Sequence, residues 1–204
     1  MTTMTSAGVR RAAMQDAPAL ARTLARAFAD DPVSAWFYPR HEDREARLRS
    51  AYDRLFLRRI ALPHDATFSA GDDAGVAVWL PPGTAHLGVL DQLRLLPSML
   101  ATSGRDLPRV LRGMAAIDAV HPREPHWYLW LLGVDPERQR EGLGSRLLAE
   151  VLERCDAERM PAYLEASTER NRALYLRHGF VDRGELRLPD DGPRMWPMWR
   201  EPVA

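Results

Sequence analysis

From residue 16 to residue 28 the apolar side chains Leu20, Leu24, Ala27 and Phe28 recur at the spacing that lines one face of an α-helix. Asp16 stands where a side-chain cap belongs, and Asp30-Asp31-Pro32 ends the run, because a proline and its predecessor resist helical geometry. Residues 9–13 ahead of it read as a short strand. A second amphipathic stretch at about 43–60 carries Leu48, Tyr52, Leu55 and Phe56 on one side and arginines on the other, and predicts another helix. The rhythm then changes. Two short β-type runs at 67–69 and 76–80 flank the turn Gly71-Asp72-Asp73-Ala74-Gly75, and Pro81-Pro82-Gly83 stops the second, which predicts a hairpin. Helical spacing returns twice between 86 and 120, as Leu87/Leu90/Leu93/Leu96/Leu100 and Leu107/Val110/Leu111/Met114/Ile117, broken at Ser103-Gly104.

Residues 127–134 are apolar without alternation, the pattern of a strand covered on both faces, and Asp135-Pro136 ends them. The stripe Leu147/Leu148/Val151/Leu152/Cys155 predicts a helix from Gly144 onward. A strand at 162–166 follows, then a short helix from about Asn171 capped by Gly179. Two more strands, 181–188 and 195–199, surround the turn Asp190-Asp191-Gly192-Pro193. Strand alternating with helix predicts an α/β fold, and 204 residues suit one domain over 1–204.

Composition narrows the chemistry. Apolar residues make up 46% and charged ones 27%, yet no run approaches the ~20 apolar residues of a membrane helix. Lys plus Arg and Asp plus Glu number 28 each, so no net field draws nucleic acid or an anionic membrane, and a small-molecule partner is expected. All 28 cations are arginine. That excludes a lysine Schiff base, a lysine general base and a Gly-Lys-Ser/Thr phosphate loop. The histidines at 41, 64, 86, 121, 126 and 178 include no pair three or four residues apart, so no metal site is expected. The opening residues lack a secretory apolar run, and Cys155 is the single cysteine and lies on an apolar helical stripe, which points to the cytoplasm and to a buried, inert thiol.

The segment Val134-Asp-Pro-Glu-Arg-Gln139-Arg140-Glu141-Gly142-Leu143-Gly144-Ser145-Arg146 joins the apolar strand to a helix. Glycines at 142 and 144 bare the first-turn N–H groups, which have no partner inside a helix and can close on a phosphate. Arg138, Arg140 and Arg146 add positive charge. A dinucleotide-binding turn is the competing explanation, with Glu165 where a ribose-binding acid belongs. Leu147 in place of the third glycine and the long strand-to-helix connection argue against it.

Gln139-x-x-Gly142-x-Gly144 followed by Glu165-Ala-Ser-x-x-x-Asn171-x-x-x-Tyr175-x-x-x-Gly179-Phe180 resembles the GNAT superfamily of acyl-CoA-dependent acyltransferases. Further matches, Arg26-Ala-Phe28-Ala-Asp30, Ala77-Val-Trp79, Pro122-Arg-Glu124-Pro125, Leu164-Glu165-Ala-Ser167 and Gly192-Pro193-Arg194, make it similar to the puromycin N-acetyltransferase-like branch. The resemblance implies a mixed seven-stranded sheet flanked by helices, with a helical insert at about 86–120. The sheet is splayed between the strands ending near Val134 and Ala166. It implies acetyl-CoA as acyl donor, with Gln139, Arg140, Glu141, Gly142, Leu143, Gly144 and Ser145 around the pyrophosphate and Asn171 beside the cofactor. By position, the Leu132 N–H would hold the acetyl oxygen and the Val134 N–H the pantetheine arm, and Tyr175 would protonate the leaving thiolate. The alternative for Tyr175 is an aromatic of a helix's core face.

The proton-accepting carboxylate that some relatives carry on the central strand would fall at Tyr128, and the histidines of others at Trp130 and Tyr128; this sequence departs from both patterns. Glu165, the one carboxylate on the two strands flanking the splay, is then the candidate base; its alternative is an ion pair with Arg170 or Arg172. His126 is the second candidate, or simply a solvated histidine. Phe28, Trp36, Tyr38, Trp79 and Trp130, with Asp30 and Asp31, predict an apolar acceptor pocket with a cation-attracting mouth. The expected reaction is direct acetyl transfer to the primary amine of a small molecule. Acetylation of peptide N-termini and non-catalytic acyl-CoA sensing stay open beside it.

Overall fold

In the computed structural model, which describes residues 8–85 and 88–203, the expected hairpin becomes the middle of a larger sheet. Strand β1 (Val9–Arg11) pairs antiparallel with β2 (Thr67–Ala70), β2 with β3 (Gly75–Leu80), and β3 with β4 (Trp127–Val134). Beyond β4 lies β5 (Ala162–Ala166). Two short strands, β6 (Val181–Asp182) and β7 (Leu186–Arg187), both pair with β8 (Arg194–Arg200), which also borders β5. The order is β1-β2-β3-β4-β5-β8-β6, with β7 also on β8. Eight strands stand where seven were expected, because 181–188 is broken at Gly184, whose φ of 116° no extended run sustains.

Among the described residues β4 and β5 are the one parallel pair of neighbours, and they pair at two positions, Trp127 with Ala162 and Tyr128 with Tyr163. Past Tyr128 the strands part. From Leu129 to Val134, β4 keeps β3 on one side and borders an open wedge on the other.

Helices cover both faces. On one, α1 (Ala17–Phe28) buries Leu20, Ala21 and Leu24 against Val76, Val78 and Leu80 of the sheet. Gly133 allows this approach, since a Cβ there would stand 3.0 Å from both Ala27 Cβ and Leu24 Cδ2. Asp16 does not cap α1; its carboxylate turns back to accept from Ala13 N–H at 2.8 Å and Arg10 Nη1 at 2.7 Å. The Asp-Asp-Pro stop conceals a further helix, α2 (Pro32–Phe37), capped by Asp31, which accepts from the N–H groups of Val33 and Ser34. The expected helix at 43–60 is α3 (His41–Ala51) passing into a π-helix, Tyr52–Ala61, where Leu62 N–H donates to the carbonyl five residues back on Leu57.

The insert is α4 (Val89–Ser103) and α5 (Leu107–Val120). Its first expected stripe is displaced: Leu90, Leu93, Leu96 and Leu100 are exposed, Leu95 and Met99 face inward, and Leu87 lies outside the described residues. On the other sheet face lie α6 (Leu143–Ala157), which buries Leu147, Leu148, Val151 and Cys155, and α7 (Glu169–Arg177). Burial raises the Cys155 thiol to about 12, so it stays protonated. Arg200 of β8 ties this layer together: Asp156 of α6 holds it bidentately at 2.7 and 2.8 Å, and its Nε donates to the His178 carbonyl.

Candidate active site

The wedge owes its chemistry to one surplus residue. Val78 opposes Leu131 but Trp79 opposes Leu129, so Trp130 is the extra residue of a β-bulge. Trp130 and Leu131 therefore both face the α1 side, where plain alternation would separate them. The backbone is re-phased as well. Trp127 N–H donates to Pro161 O on the β5 side at 2.9 Å, whereas Asp135 N–H, eight residues on, donates to Ala74 O on the β3 side at 2.7 Å. Alternation counted back from Asp135 turns the Val134 and Leu132 N–H groups into the wedge. The Val134 carbonyl faces the same way and accepts from Gln139 Nε2 at 3.3 Å.

At the wedge's mouth the chain enters α6 through a left-handed Gly142, φ 79°, with no side-chain cap on the helix. Arg140, also left-handed at φ 71°, is a strained position of the kind found at binding loops. Arg146 N–H returns to Gly142 O, which leaves Leu143, Gly144 and Ser145 at the uncapped start of the helix. A cavity of 710 Å³ opens there, lined by Leu132, Gly133, Val134, Gln139, Arg140, Gly142, Leu143, Gly144, Ser145, Asn171 and Tyr175. Arg170 and Arg177 line it too, cations that sequence spacing did not single out for this role. Arg138 instead holds Glu141 at 2.8 Å, and neither lines the cavity; the hydrogen bond from Arg138, and then its charge, keeps the Glu141 carboxyl below its ordinary range.

A second, smaller pocket of 140 Å³ shares Phe28, Asp31, Leu132, Asn171 and Tyr175 with the first. The π-helix supplies Tyr52 and Phe56, α5 supplies Val110, Met114 and Ile117, and β4 supplies Tyr128 to Leu132. Phe56 stacks on Trp130 with centroids 4.6 Å apart. Glu165 and Asp31 are its carboxylates, and among the described residues no arginine lines it. Asp31 caps α2 and takes a short hydrogen bond from Ser167, to which Asn171 Nδ2 donates at 3.4 Å. Burial outweighs those donors and lifts its carboxyl above the ordinary range. Burial first, and then the Asp31 charge, likewise raises the Tyr175 phenol, which therefore keeps its proton. Glu165 pairs with neither Arg170 nor Arg172: Tyr128 O–H donates to its Oε2 at 2.8 Å, and Arg172 is held by Asp182 and Glu169. Burial and the Glu165 charge raise Tyr128 well above its usual value.

Three expected acceptor residues stand elsewhere. On β3, Val76, Val78 and Leu80 face α1, so Trp79 faces α6 and is fully buried there. Trp36 packs with Leu186, Leu188 and Met195 under the Arg109 guanidinium, 5.5 Å from its ring. Asp30 is exposed beyond the pocket lining. Phe28, Asp31, Tyr38 and Trp130 do line it. His126 is buried against Tyr163 and Trp199, outside both cavity linings.

A sequence profile of the acetyltransferase (GNAT) family matches residues 26–180. An uncharacterised N-acetyltransferase of Schizosaccharomyces pombe is 30% identical over 200 residues, covering 91% of this chain and 79% of that protein. A Corynebacterium glutamicum protein described as histone acetyltransferase HPA2 and related acetyltransferase has a similar structure, with TM-score 0.73, 28% identity and 97% of each chain covered. A Drosophila melanogaster polyamine N-acetyltransferase shares the fold at TM-score 0.63 and 17% identity, over 95% of this chain and 98% of that one. The profile covers most of the chain and the relative nearly all of it, and the chain belongs to the acetyltransferase (GNAT) family.

Proposed function

We propose that this single acetyltransferase domain transfers the acetyl group of acetyl-CoA directly to the primary amine of a small molecule, in the cytoplasm, as the puromycin N-acetyltransferase-like resemblance implies. The observation that carries it is the charge gradient along two cavities that share Asp31 and Tyr175: arginines at the end where α6 begins, Glu165 and aromatics at the other. The 710 Å³ cavity lies within the ~300–1,000 Å³ of ligand pockets, and an uncapped fifteen-residue helix faces it, which suits a pyrophosphate. Acetyl-CoA supplies a thioester whose carbonyl carbon accepts the amine. The Leu132 N–H holds the acetyl oxygen, a donor worth about 3 to 4 kcal/mol where an oxyanion develops. The Val134 N–H holds the pantetheine arm. Glu165 takes a proton from the incoming ammonium, and Asp31 adds negative charge at the junction. Tyr175, a phenol above its usual ~10, would protonate a thiolate near ~8.5 only uphill, so it aids departure by a hydrogen bond to the sulfur. An apolar space near ~150 Å³ takes a group the size of benzene, so an amine with one apolar ring fits the 140 Å³ pocket.

Steady-state thiol release with a panel of aryl amines, polyamines and a histone-tail peptide tests this. Turnover with small apolar amines is expected. A preference for the peptide would move the acceptor class, and acetyl-CoA binding without turnover on any amine would leave a sensor.

A further inference from the structure

We infer that His178 is a positioning residue of the cofactor loop: it sets the Ser145 hydroxyl as a donor to the CoA pyrophosphate and takes up a proton as the cofactor binds. This rests on the acetyl-CoA site proposed above. One hydrogen bond between two helices carries it. His178, which ends α7, places Nε2 3.1 Å from Ser145 Oγ in the first turn of α6. Ser145 lines the 710 Å³ cavity and His178 does not, so the imidazole can reach a ligand there only through the hydroxyl.

The backbone under the ring is tied to the same helix that carries the serine. His178 N–H donates to Tyr175 O at 2.9 Å, and its carbonyl accepts from Arg200 Nε at 3.0 Å. Asp156 of α6 grips that guanidinium at 2.7 and 2.8 Å. The end of α7 and the body of α6 are thus clamped together, and the imidazole faces a serine it does not have to search for.

The Nε2···Oγ bond can be made in two ways. If the serine donates to a bare Nε2, only oxygen lone pairs are left for an anion, and they repel it. If Nε2 carries the hydrogen, the serine oxygen accepts from the ring and its own hydrogen is released for the loop. A pyrophosphate oxygen can only accept, so a bound cofactor selects the second arrangement. The neutral Nε2–H tautomer supplies it, and so does the imidazolium, which also adds a charge of the sign the anion favours. The extra proton comes from water and rests on Nδ1.

Among the described residues the charged groups around the ring are Arg177 of α7 and Arg200 of β8, the latter paired with Asp156 of α6. In the free protein burial, and then those two arginines, hold His178 below its ordinary titration point, so it is neutral near pH 7. Arg177 also lines the cavity. A pyrophosphate there offsets the repulsion that Arg177 exerts on the ring, which raises the titration point again. By reciprocity, acetyl-CoA binds more tightly as the pH falls through that range.

Calorimetry with dephospho-CoA tests this, because that ligand keeps the pyrophosphate but lacks the phosphate monoester, which would itself titrate near pH ~6. Titrations in buffers of different ionisation enthalpy count the protons taken up. The wild type should gain several tenths of a proton per ligand near pH ~6, and its affinity should rise about fivefold from pH 8 to pH 5.5. His178→Gln keeps an N–H for Ser145 but has no proton to take, so its affinity should match the wild type at pH 8 and show neither the rise nor the uptake. His178→Leu should weaken binding about three- to tenfold, and should do nothing further in a Ser145→Ala background. Ring ¹⁵N spectra of the wild type should show the His178 midpoint moving to higher pH when the ligand is added. Proton uptake that survives in His178→Gln, an unmoved midpoint, or equal losses from His178→Leu with and without the serine hydroxyl at intact melting temperatures overturns the inference. Failure of both dephospho-CoA and acetyl-CoA to bind, unlike these results, overturns the proposed function along with it.

Discussion

Gly142→Val separates a loop that binds phosphate from one that merely turns. Gly142 sits at φ 79° and ψ 4°, where a residue bearing a Cβ costs about 1 to 2 kcal/mol and a β-branched one stands at the upper end. Among the described residues nothing lies within 4 Å of the Cβ it would gain, so the cost is backbone strain and not a clash. The variant can hold the loop's shape and lose that stability, about 2 to 4 °C of melting temperature per kcal/mol for a chain this size. Or it relaxes, withdraws the Leu143, Gly144 and Ser145 N–H groups, and must rebuild them when the ligand binds. In that case 1 to 2 kcal/mol appears as a roughly five- to thirtyfold weaker acetyl-CoA affinity. We expect the second, because the loop is at the surface, and a rise in Kd of about tenfold. Gly144→Ala is the contrast: its Cβ would meet Leu174 Cδ2 at 3.7 Å and Val134 Cγ2 at 3.9 Å, ordinary contacts, inside a helix where alanine beats glycine by up to about 1 kcal/mol. Calorimetric titration with acetyl-CoA and thermal melts read both quantities. An unchanged Kd for Gly142→Val with an intact fold, or an equal loss from Gly144→Ala, refutes the reasoning.

Tyr175→Phe keeps the ring contact with Phe180 and should lower kcat roughly 10- to 100-fold with melting temperature unchanged; full turnover would make the residue core packing. Asp31→Asn retains a good cap for Val33 and Ser34 but removes a charge facing the acceptor, so KM for a cationic amine should rise several-fold at constant melting temperature. Asp156→Asn strips half of the pair on buried Arg200 and should cost about 2 kcal/mol. Arg200's hydrogen bond holds the Asp156 carboxyl below its ordinary value, so that stabilisation is full above ~pH 4 and is lost as pH falls through the lowered folded value. Acid melts of the variant should therefore show less loss between pH 5 and pH 2 than the wild type.

Periodicity made the α/β frame legible, because Leu20/Leu24 and Leu147/Leu148/Val151 bury the stripes they display. It failed where the pattern is blind. A residue set at 48, 52, 55 and 56 fits the windings of both an α- and a π-helix, and six residues of α2 are too few to show a period. Trp79 lies in a strand apolar at nearly every position, so nothing in the string said which face it takes. In the site, residues carried by motif spacing, Gln139 to Ser145 apart from Glu141, and Asn171 and Tyr175, do converge on one cavity. Their partners were not legible: Ser167 reaches Asp31 across 136 positions, and Tyr128 reaches Glu165 across 37. His121 ends a helix with no local sign that it will face a carboxylate.

The bulge at Trp130 makes the length of β4 a matter of odd and even. Remove Trp130 and residues 127 and 135 stand seven apart, an odd separation that simple alternation satisfies at both ends, so the donors at 132 and 134 keep facing the wedge. What leaves is the indole packed on Phe56. The surplus residue is thus an aromatic spliced into the acceptor wall without re-aiming an amide, and the two ends of the wedge are separable by a single deletion.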